Sequence, residues 1–393
     1  GLNIAPLKTA DITHSISYPV SVAGEYPIDV KLTQPNGVAD EDTTNNTISR
    51  VIYGLETQVP KKVLVEEATG TWCQWCPRGA VNMDLLAAQY EGSVMPVAVH
   101  NFDPMVIPEY DGPFSASVGG YPSGHVDRKI KDIDPLDFAT GFLELQNRLV
   151  PTAVTTEVSW DSENRVVTVT GKATNTINTE HNGLRFMAII TEDHVTGTTD
   201  DYAQANAYAD NAAGEMGGFE TLPNPVPAED MVYNFVARAL LGGFDGLENS
   251  IPDAIPANEE YTVEFSYTIP AEYNEANMKA IILVMDDETG EVLNGDITEV
   301  VNTSTPVIPA GHFVAYPNPT TDVFNLEVDY ATDAKVTMKI YTTMGQLVRD
   351  LGNLELSNGK QSTEIKVADL ASGQYILELR NSNKVTALPF TKI

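Results

Sequence analysis

The stretch VLVEEATGTWCQWCPRGA, residues 63–80, holds both cysteines of the chain in a C-x-x-C arrangement. The apolar run at 63–65 is typical of a short buried strand. Apolar residues then recur at helical spacing from Val81 onward. The pattern predicts a buried strand and then a helix that the cysteine pair opens, with Cys73 near the helix N-terminus.

A C-x-x-C pair can form a redox-active disulfide, a structural disulfide or part of a metal site. Haem attachment needs a histidine directly after the second cysteine, where this chain has Pro77. Structural zinc usually takes four ligands, and only His100 and His125 could assist the two cysteines. A metal site is therefore the least favoured of the three, and we expect no metal and no cofactor.

Strand and helix patterns alternate across residues 56–150. The segment SVMPVAVHNF, 93–102, predicts a second buried strand, and DPLDFATGFLELQNRLV, 134–150, predicts an amphipathic helix. Strands that alternate with helices indicate βαβ units and an α/β layer. The rest of the chain shows mainly strand patterns.

The chain has 393 residues, which is too long for one hydrophobic core, so we expect several domains. The patterns divide it into a small β-sandwich at 1–55, an α/β domain at 56–150, a β-sandwich at 151–303, a linker at 304–311 and a last β-sandwich at 312–393. A polar insert at about 194–230 interrupts the strands of the third segment.

The charge is strongly negative, −32 overall, and unevenly spread. Residues 312–393 hold 9 acidic and 8 basic side chains, whereas the other 311 residues hold 46 acidic and 15 basic ones. Such a body repels nucleic acid and anionic lipid, so neither is expected as a partner. No apolar run reaches the length of a membrane span. The near-neutral tail is predicted to be a separate module.

The predicted position of the pair favours thiol chemistry. At the start of a helix, unpaired N–H groups stabilise a thiolate on Cys73, and a thiolate is the species that attacks a disulfide. Cys76 lies one turn later and could resolve the mixed disulfide.

The segment VLVEEATGTWCQWCPRGA resembles the active-site stretch of the thioredoxin superfamily. This resemblance implies that a cis-proline, matched by Pro122 in GGYPSGHV, faces the cysteines and that Trp72 packs beside them. It also implies a buried acid beneath the pair as proton acceptor. Glu66 and Glu67 are both candidates, and Glu66 is the preferred one. The Gln-Trp between the cysteines departs from the Gly-Pro of thioredoxins.

A second resemblance covers most of the chain. EEATGTWCQWCPRGA and GGYPSGHVDRK are similar to the outer-membrane-protein-28-related family of Bacteroidetes-type bacteria, which joins a thioredoxin-like domain to a β-sandwich. Residues 1–55 look like an immunoglobulin-type adhesion module. The implied fold class is a thioredoxin-like α/β domain flanked by immunoglobulin-like or jelly-roll-type β-sandwiches.

The tail resembles the C-terminal sorting domain of type IX secretion cargo, through AYPNPTTDVFNLEV, IYTTMGQLVRDL and LASGQYILELRNSNKVTALPFTKI. This resemblance implies a cleaved leader, passage through the periplasm and delivery to the outer-membrane cell surface or the medium. The secretion machinery would be a partner through residues 312–393.

Two functions remain open. In the first, the protein is an extracytoplasmic thiol–disulfide oxidoreductase with Cys73 as nucleophile and Cys76 as resolving cysteine, and its substrates are protein or peptide disulfides. In the second, the protein is a non-enzymatic binding or adhesion protein, and the Cys73–Cys76 disulfide is structural.

Overall fold

The computed structural model describes residues 17–33, 42–44, 46–180, 183–301, 312–316, 318–330, 334–342, 347–357, 359–371, 373–380 and 385–393. The chain divides into two compact units, residues 1–302 and 303–393. The predicted linker at 304–311 lies outside the described residues, as do parts of the tail motifs such as 343–346.

The described residues of the expected N-terminal sandwich form one hairpin. Strand β1 (Gly24–Lys31) runs antiparallel to β2 (Thr47–Gly54). The α/β region follows as β3 (Val63–Thr69), α1 (Pro77–Gln89), β4 (Val94–His100), α2 (Pro108–Ser115), β5 (Ser123–Val126), β6 (Ile130–Ile133) and α3 (Phe138–Gln146).

The remainder of the first unit contains strands and short 3-10 helices. Its strands are β7 (Thr152–Asp161), β8 (Val166–Asn175), β9 (Thr179–Glu180), β10 (Leu184–Glu192), β11 (Val236–Leu241), β12 (Ala254–Ile255), β13 (Glu260–Thr268), β14 (Met278–Asp286) and β15 (Val292–Glu299). The polar segment between β10 and β11 includes 3-10 helices at Asp200–Tyr202, Ala209–Asn211, Phe219–Thr221 and Ala228–Asp230.

One eight-stranded mixed sheet organises the first unit, in the order β15-β14-β10-β11-β4-β3-β5-β6. Strand β4 runs parallel to both β3 and β11, whereas the other neighbours are antiparallel. The backbone bond from Ala98 N–H to the Phe235 carbonyl, 2.7 Å, links β4 to the residue before β11. The division expected at residues 150–151 therefore falls inside one sheet, because β10, β11, β14 and β15 extend the sheet that β3 and β4 begin.

The two faces of this sheet bury different cores. A three-stranded sheet, β13-β8-β7, covers the half formed by β10 and β14, where Ile282 belongs to the shared core. On β3, Val63 and Val65 pack with α1 and α3, whereas Leu64 packs with α2. Successive strand residues thus point to opposite helical layers.

The second unit is all-β. It contains β16 (His312–Tyr316), β17 (Val323–Tyr330), β18 (Ala334–Thr342), β19 (Leu347–Leu356), β20 (Gly359–Lys366), β21 (Gly373–Arg380) and β22 (Val385–Lys392). These form two sheets, β16-β17-β20 and β19-β18-β21-β22. Alternate residues of β17, Phe324, Leu326 and Val328, are buried in its core. Among all the described residues, no helix has the length and apolar character needed to span a membrane.

Candidate functional site

The two cysteines form a disulfide in the loop between β3 and α1. Their Cα atoms are 5.3 Å apart. Cys76 N–H donates to the Cys73 carbonyl, and helix α1 begins at Pro77, directly after Cys76. Proline suits the first helical position because the N–H that it lacks has no partner within the helix. Cys73 therefore lies in the turn that leads into the helix, whereas the sequence predicts that the pair itself opens the helix; the helix begins only after Cys76.

Part of the chain's own polar insert covers this disulfide. Cys73 is 4% exposed and Cys76 is 2% exposed. Ala205 N–H donates to the Thr71 carbonyl and Ala207 N–H donates to the Gln74 carbonyl, both at 2.8 Å.

A side chain of the insert adds a third hydrogen bond to the cysteine loop. The Gln204 amide donates to the Cys73 carbonyl at 2.9 Å. The insert between β10 and β11, which the sequence places in a separate domain, thus forms one wall around the pair.

The cis-proline side of the pair is formed by β5. The Tyr121–Pro122 peptide bond is cis, the isomer that the thioredoxin resemblance implies. Ser123 pairs with Ala68 near the end of β3, so Pro122 lies at the sheet edge from which the cysteine loop leaves. The Trp72 ring lies 5.3 Å from the Tyr121 ring, and its indole N–H donates to the Asn101 carbonyl at 2.7 Å.

Glu66, the preferred candidate for the acid beneath the cysteines, does not lie there. It points to the α2 side of β3, where its carboxylate accepts hydrogen bonds from Tyr110 Oη at 2.7 Å and from Arg128 Nη2 at 2.8 Å. This buried ion pair uses both carboxylate oxygens. Glu66 is therefore not placed to accept a proton from the cysteines. Its neighbour Glu67 faces the opposite layer, on the side of α1.

Glu67 is the acid on the side of the cysteines. It is buried, and within the described part of the chain its Oε1 atom has no hydrogen-bond partner. Glu67 and Cys76 line one cavity of about 40 Å³, which His100 and Gln204 also line. Burial raises the pKa of Glu67 to about 8, against an opposing hydrogen bond from Thr69.

Gly79 explains how the Glu67 carboxyl reaches this position. A Cβ atom at Gly79 would lie 1.7 Å from Glu67 Oε1, so only glycine leaves room for the carboxyl against the first turn of α1. This requirement is not among the features that the sequence patterns predict. A glycine three residues after Cys76, inside the first helical turn, was the available signal, because glycine in a helix interior is disfavoured without such a reason.

The two histidines considered as metal ligands have other partners. His100 Nδ1 lies 2.7 Å from Asp103 Oδ2, which also accepts from Thr71 N–H. His125 Nε2 lies 2.7 Å from Ser117 Oγ, and burial lowers the pKa of this histidine. In the part of the chain that the structure describes, no set of three His, Cys, Asp or Glu side chains is arranged to hold a metal ion.

Comparison with known families gives two matches. Residues 114–304 match the model of outer membrane protein Omp28, and residues 314–390 match the secretion system C-terminal sorting domain. Neither match includes Cys73 or Cys76. No curated protein matches the chain at a significant level.

Solved structures show more distant similarity. HBP35 of Porphyromonas gingivalis is 14% identical, with 86% of this chain and 100% of that chain covered and a TM-score of 0.46. Protein AGR_C_4864 from Agrobacterium tumefaciens is 11% identical, with 63% and 98% covered and a TM-score of 0.38. The chain thus contains an Omp28 family domain at 114–304 and a type IX secretion C-terminal sorting domain at 314–390, which together indicate a secreted or outer-membrane surface location.

Proposed function

We propose that this surface protein exchanges disulfides with other polypeptides through Cys73 and Cys76, within a thioredoxin-like region at 56–150. The parallel strands β3 and β4 with α1 between them, and the cis-proline before β5, support the thioredoxin-like assignment. We also propose that the β-strand regions on either side of residues 56–150 are immunoglobulin-like or jelly-roll-type sandwiches.

The observation that carries the redox proposal is the buried carboxyl of Glu67, whose Oε1 atom has no hydrogen-bond partner among the described residues, in the cavity that Cys76 also lines. A buried polar atom without a partner costs stability, and a structural disulfide gains nothing from it. A redox pair does gain, since one sulfur must take up or release a proton in each half-reaction. A carboxyl whose pKa is raised to about 8 by burial can donate or accept that proton near neutral pH.

The proposed reaction starts from the disulfide form. A substrate thiolate attacks Cys73 Sγ, the Cys73–Cys76 bond breaks, and Cys76 leaves as a thiolate that takes the proton of Glu67. A second substrate thiolate then attacks the substrate sulfur of the mixed disulfide, and Cys73 leaves and takes a proton from solvent. Glu67 also regains a proton, so that the two protons lost by the substrate thiols balance the two gained by the pair. The substrate loses two electrons and two protons and gains a disulfide, while the pair gains both. The reverse sequence reduces a substrate disulfide.

A specific observation favours the second candidate, a binding protein with a structural disulfide. Both cysteines are almost fully buried, and the insert bonds to Thr71, Cys73 and Gln74 around them. A covered disulfide exchanges slowly, because the attacking sulfur needs access to one of the two sulfurs. In this candidate the sandwich regions carry the binding function.

The two candidates differ in a redox titration of the full chain. A pair used for exchange should show a reduction potential above about −300 mV, whereas structural disulfides typically lie below that value. The chain should also oxidise a dithiol peptide in a single turnover, and Cys73→Ser should abolish this transfer. Glu67→Gln should slow the transfer at pH 7 by more than tenfold, and Glu144→Gln, a change at an exposed helix position, should not. A resistant pair that transfers nothing to or from peptides would establish the structural candidate.

A further inference from the structure

Three large aromatic side chains in the loops that follow β3 and β4 are exposed. Trp72 is 49% exposed, Trp75 is 39% exposed and Phe102 is 86% exposed. Trp72 and Phe102 are brought together because the Trp72 indole donates to the carbonyl of Asn101. We call these three residues the aromatic rim. They belong to the loops that follow β3 and β4, the same loops that surround Cys73.

Folding does not account for the exposure of Phe102. Its φ is 49°, a left-handed conformation that a bulky aromatic residue seldom adopts. The conformation directs a large apolar side chain into solvent, where it contributes little burial. An unfavourable backbone conformation at an exposed aromatic residue beside a reactive group points to a contact with a partner.

The surroundings of the rim are acidic. The insert at 194–230 contains seven Asp or Glu residues and no Lys or Arg. It reaches the rim through Tyr208, whose ring lies 5.7 Å from that of Trp75, and Asp210 is exposed two residues later. The guanidinium of Arg78 lies 6.0 Å from the Trp75 ring, but the Asp134 carboxylate holds it at 2.5 Å.

We propose that the aromatic rim binds a positively charged, extended segment of the substrate polypeptide and presents its sulfur to Cys73. Exposed indole and phenyl faces attract Lys and Arg side chains, and the neighbouring carboxylates add long-range attraction for a cationic chain. This inference rests on the proposed function, since it names the class of polypeptide that would exchange disulfides with the pair. The rest of the first unit, which is also acidic, reinforces the same preference.

Binding is tested separately from redox chemistry. Three short fluorescein-labelled peptides carry serine in place of cysteine. They differ only in the residues that flank it, which are Lys and Tyr in the first, Glu and Tyr in the second, and Gln and Tyr in the third. Anisotropy with the full-length oxidised protein at low salt should show the Lys peptide bound about tenfold more tightly than the Gln peptide, and the Glu peptide most weakly. High salt should bring the three affinities together.

Variants locate the binding surface. Phe102→Ser should weaken the Lys peptide about fivefold, and Asp210→Asn should reduce the difference between the Lys and Glu peptides. Leu143→Ser, which changes an exposed apolar residue on α3 away from the aromatic rim, is the control and should change neither. Leu143→Ser should also react with dithiothreitol at the wild-type rate, because that residue lies in neither the aromatic rim nor the insert that covers the disulfide.

The possible results separate the two proposals. If the three peptides bind equally, or if Phe102→Ser and Leu143→Ser act alike, the aromatic rim is not the docking surface, whatever the redox titration gives. If the Lys peptide binds at the rim but no dithiol peptide exchanges with Cys73, the docking inference stands as a binding site and the redox function fails.

Discussion

Replacing Glu67 with glutamine tests the buried acid, because the change removes the charge while keeping the size and shape of the side chain. Burial disfavours the ionised form and raises the pKa of this carboxyl from its ordinary value of 4.5 to about 8 in the folded protein. Between these two values the folded state binds more protons than the unfolded state. The free energy of unfolding must therefore fall as the pH rises through this window.

The size of the effect follows from the two pKa values. One unit of pKa shift corresponds to about 1.4 kcal/mol, so the wild-type protein should lose roughly 3.5 kcal/mol between pH 5 and pH 8 through this group alone. Glu67→Gln has no such dependence. Its free energy of unfolding relative to wild type should therefore improve by roughly 3.5 kcal/mol across the same interval. Contributions from all other groups cancel in this comparison.

Guanidinium unfolding followed by tryptophan fluorescence measures this difference. All three tryptophans, Trp72, Trp75 and Trp160, lie in the first unit, so the signal does not report on the C-terminal unit. Glu144→Gln serves as the control and should run parallel to wild type at every pH. Parallel curves for Glu67→Gln and wild type would refute the reasoning, since they would mean that Glu67 is ionised in the folded protein at pH 5 to 8.

Three further predictions concern the cover, the helix start and the tail. Gly79→Ala should lower the free energy of unfolding of the first unit by about 2 kcal/mol, because the added Cβ meets Glu67 Oε1. In a Glu67→Ala background this loss should vanish, and a loss that persists there would contradict the clash. Gln204→Ala should raise the rate of disulfide reduction by dithiothreitol about fivefold, because the insert loses a hydrogen bond of about 1 kcal/mol to the Cys73 carbonyl. Gln89→Ala is the control. Equal rates for Gln204→Ala and wild type would mean that the insert does not limit access to the disulfide. Deletion of 312–393 should leave the protein in the periplasm of its host by cell fractionation, whereas normal surface delivery would refute the sorting role.

The choice between Glu66 and Glu67 shows where sequence reasoning reaches its limit. Strand β3 is buried on both faces, as strands with parallel neighbours usually are, so its apolar run carries no alternation. Nothing in VLVEEAT indicates which of two adjacent acids faces α1. Which acid faces which layer depends on the helix that covers each face of β3. Arg128, more than 60 residues later, forms an ion pair with Glu66, the acid that faces α2.

The sequence alone predicted the strand, the helix that follows it, the cis isomer at Pro122 and the sorting domain. The strand and the helix follow from short-range periodicity, whereas the cis isomer and the sorting domain are implied by the resemblance of local motifs to known families. The tertiary structure alone decided that the insert at 194–230 covers Cys73 and that β10 and β11 extend the sheet of β3 and β4. These features pair segments more than a hundred residues apart, and a buried strand or a polar loop carries no record in its own sequence of the neighbour that it will meet.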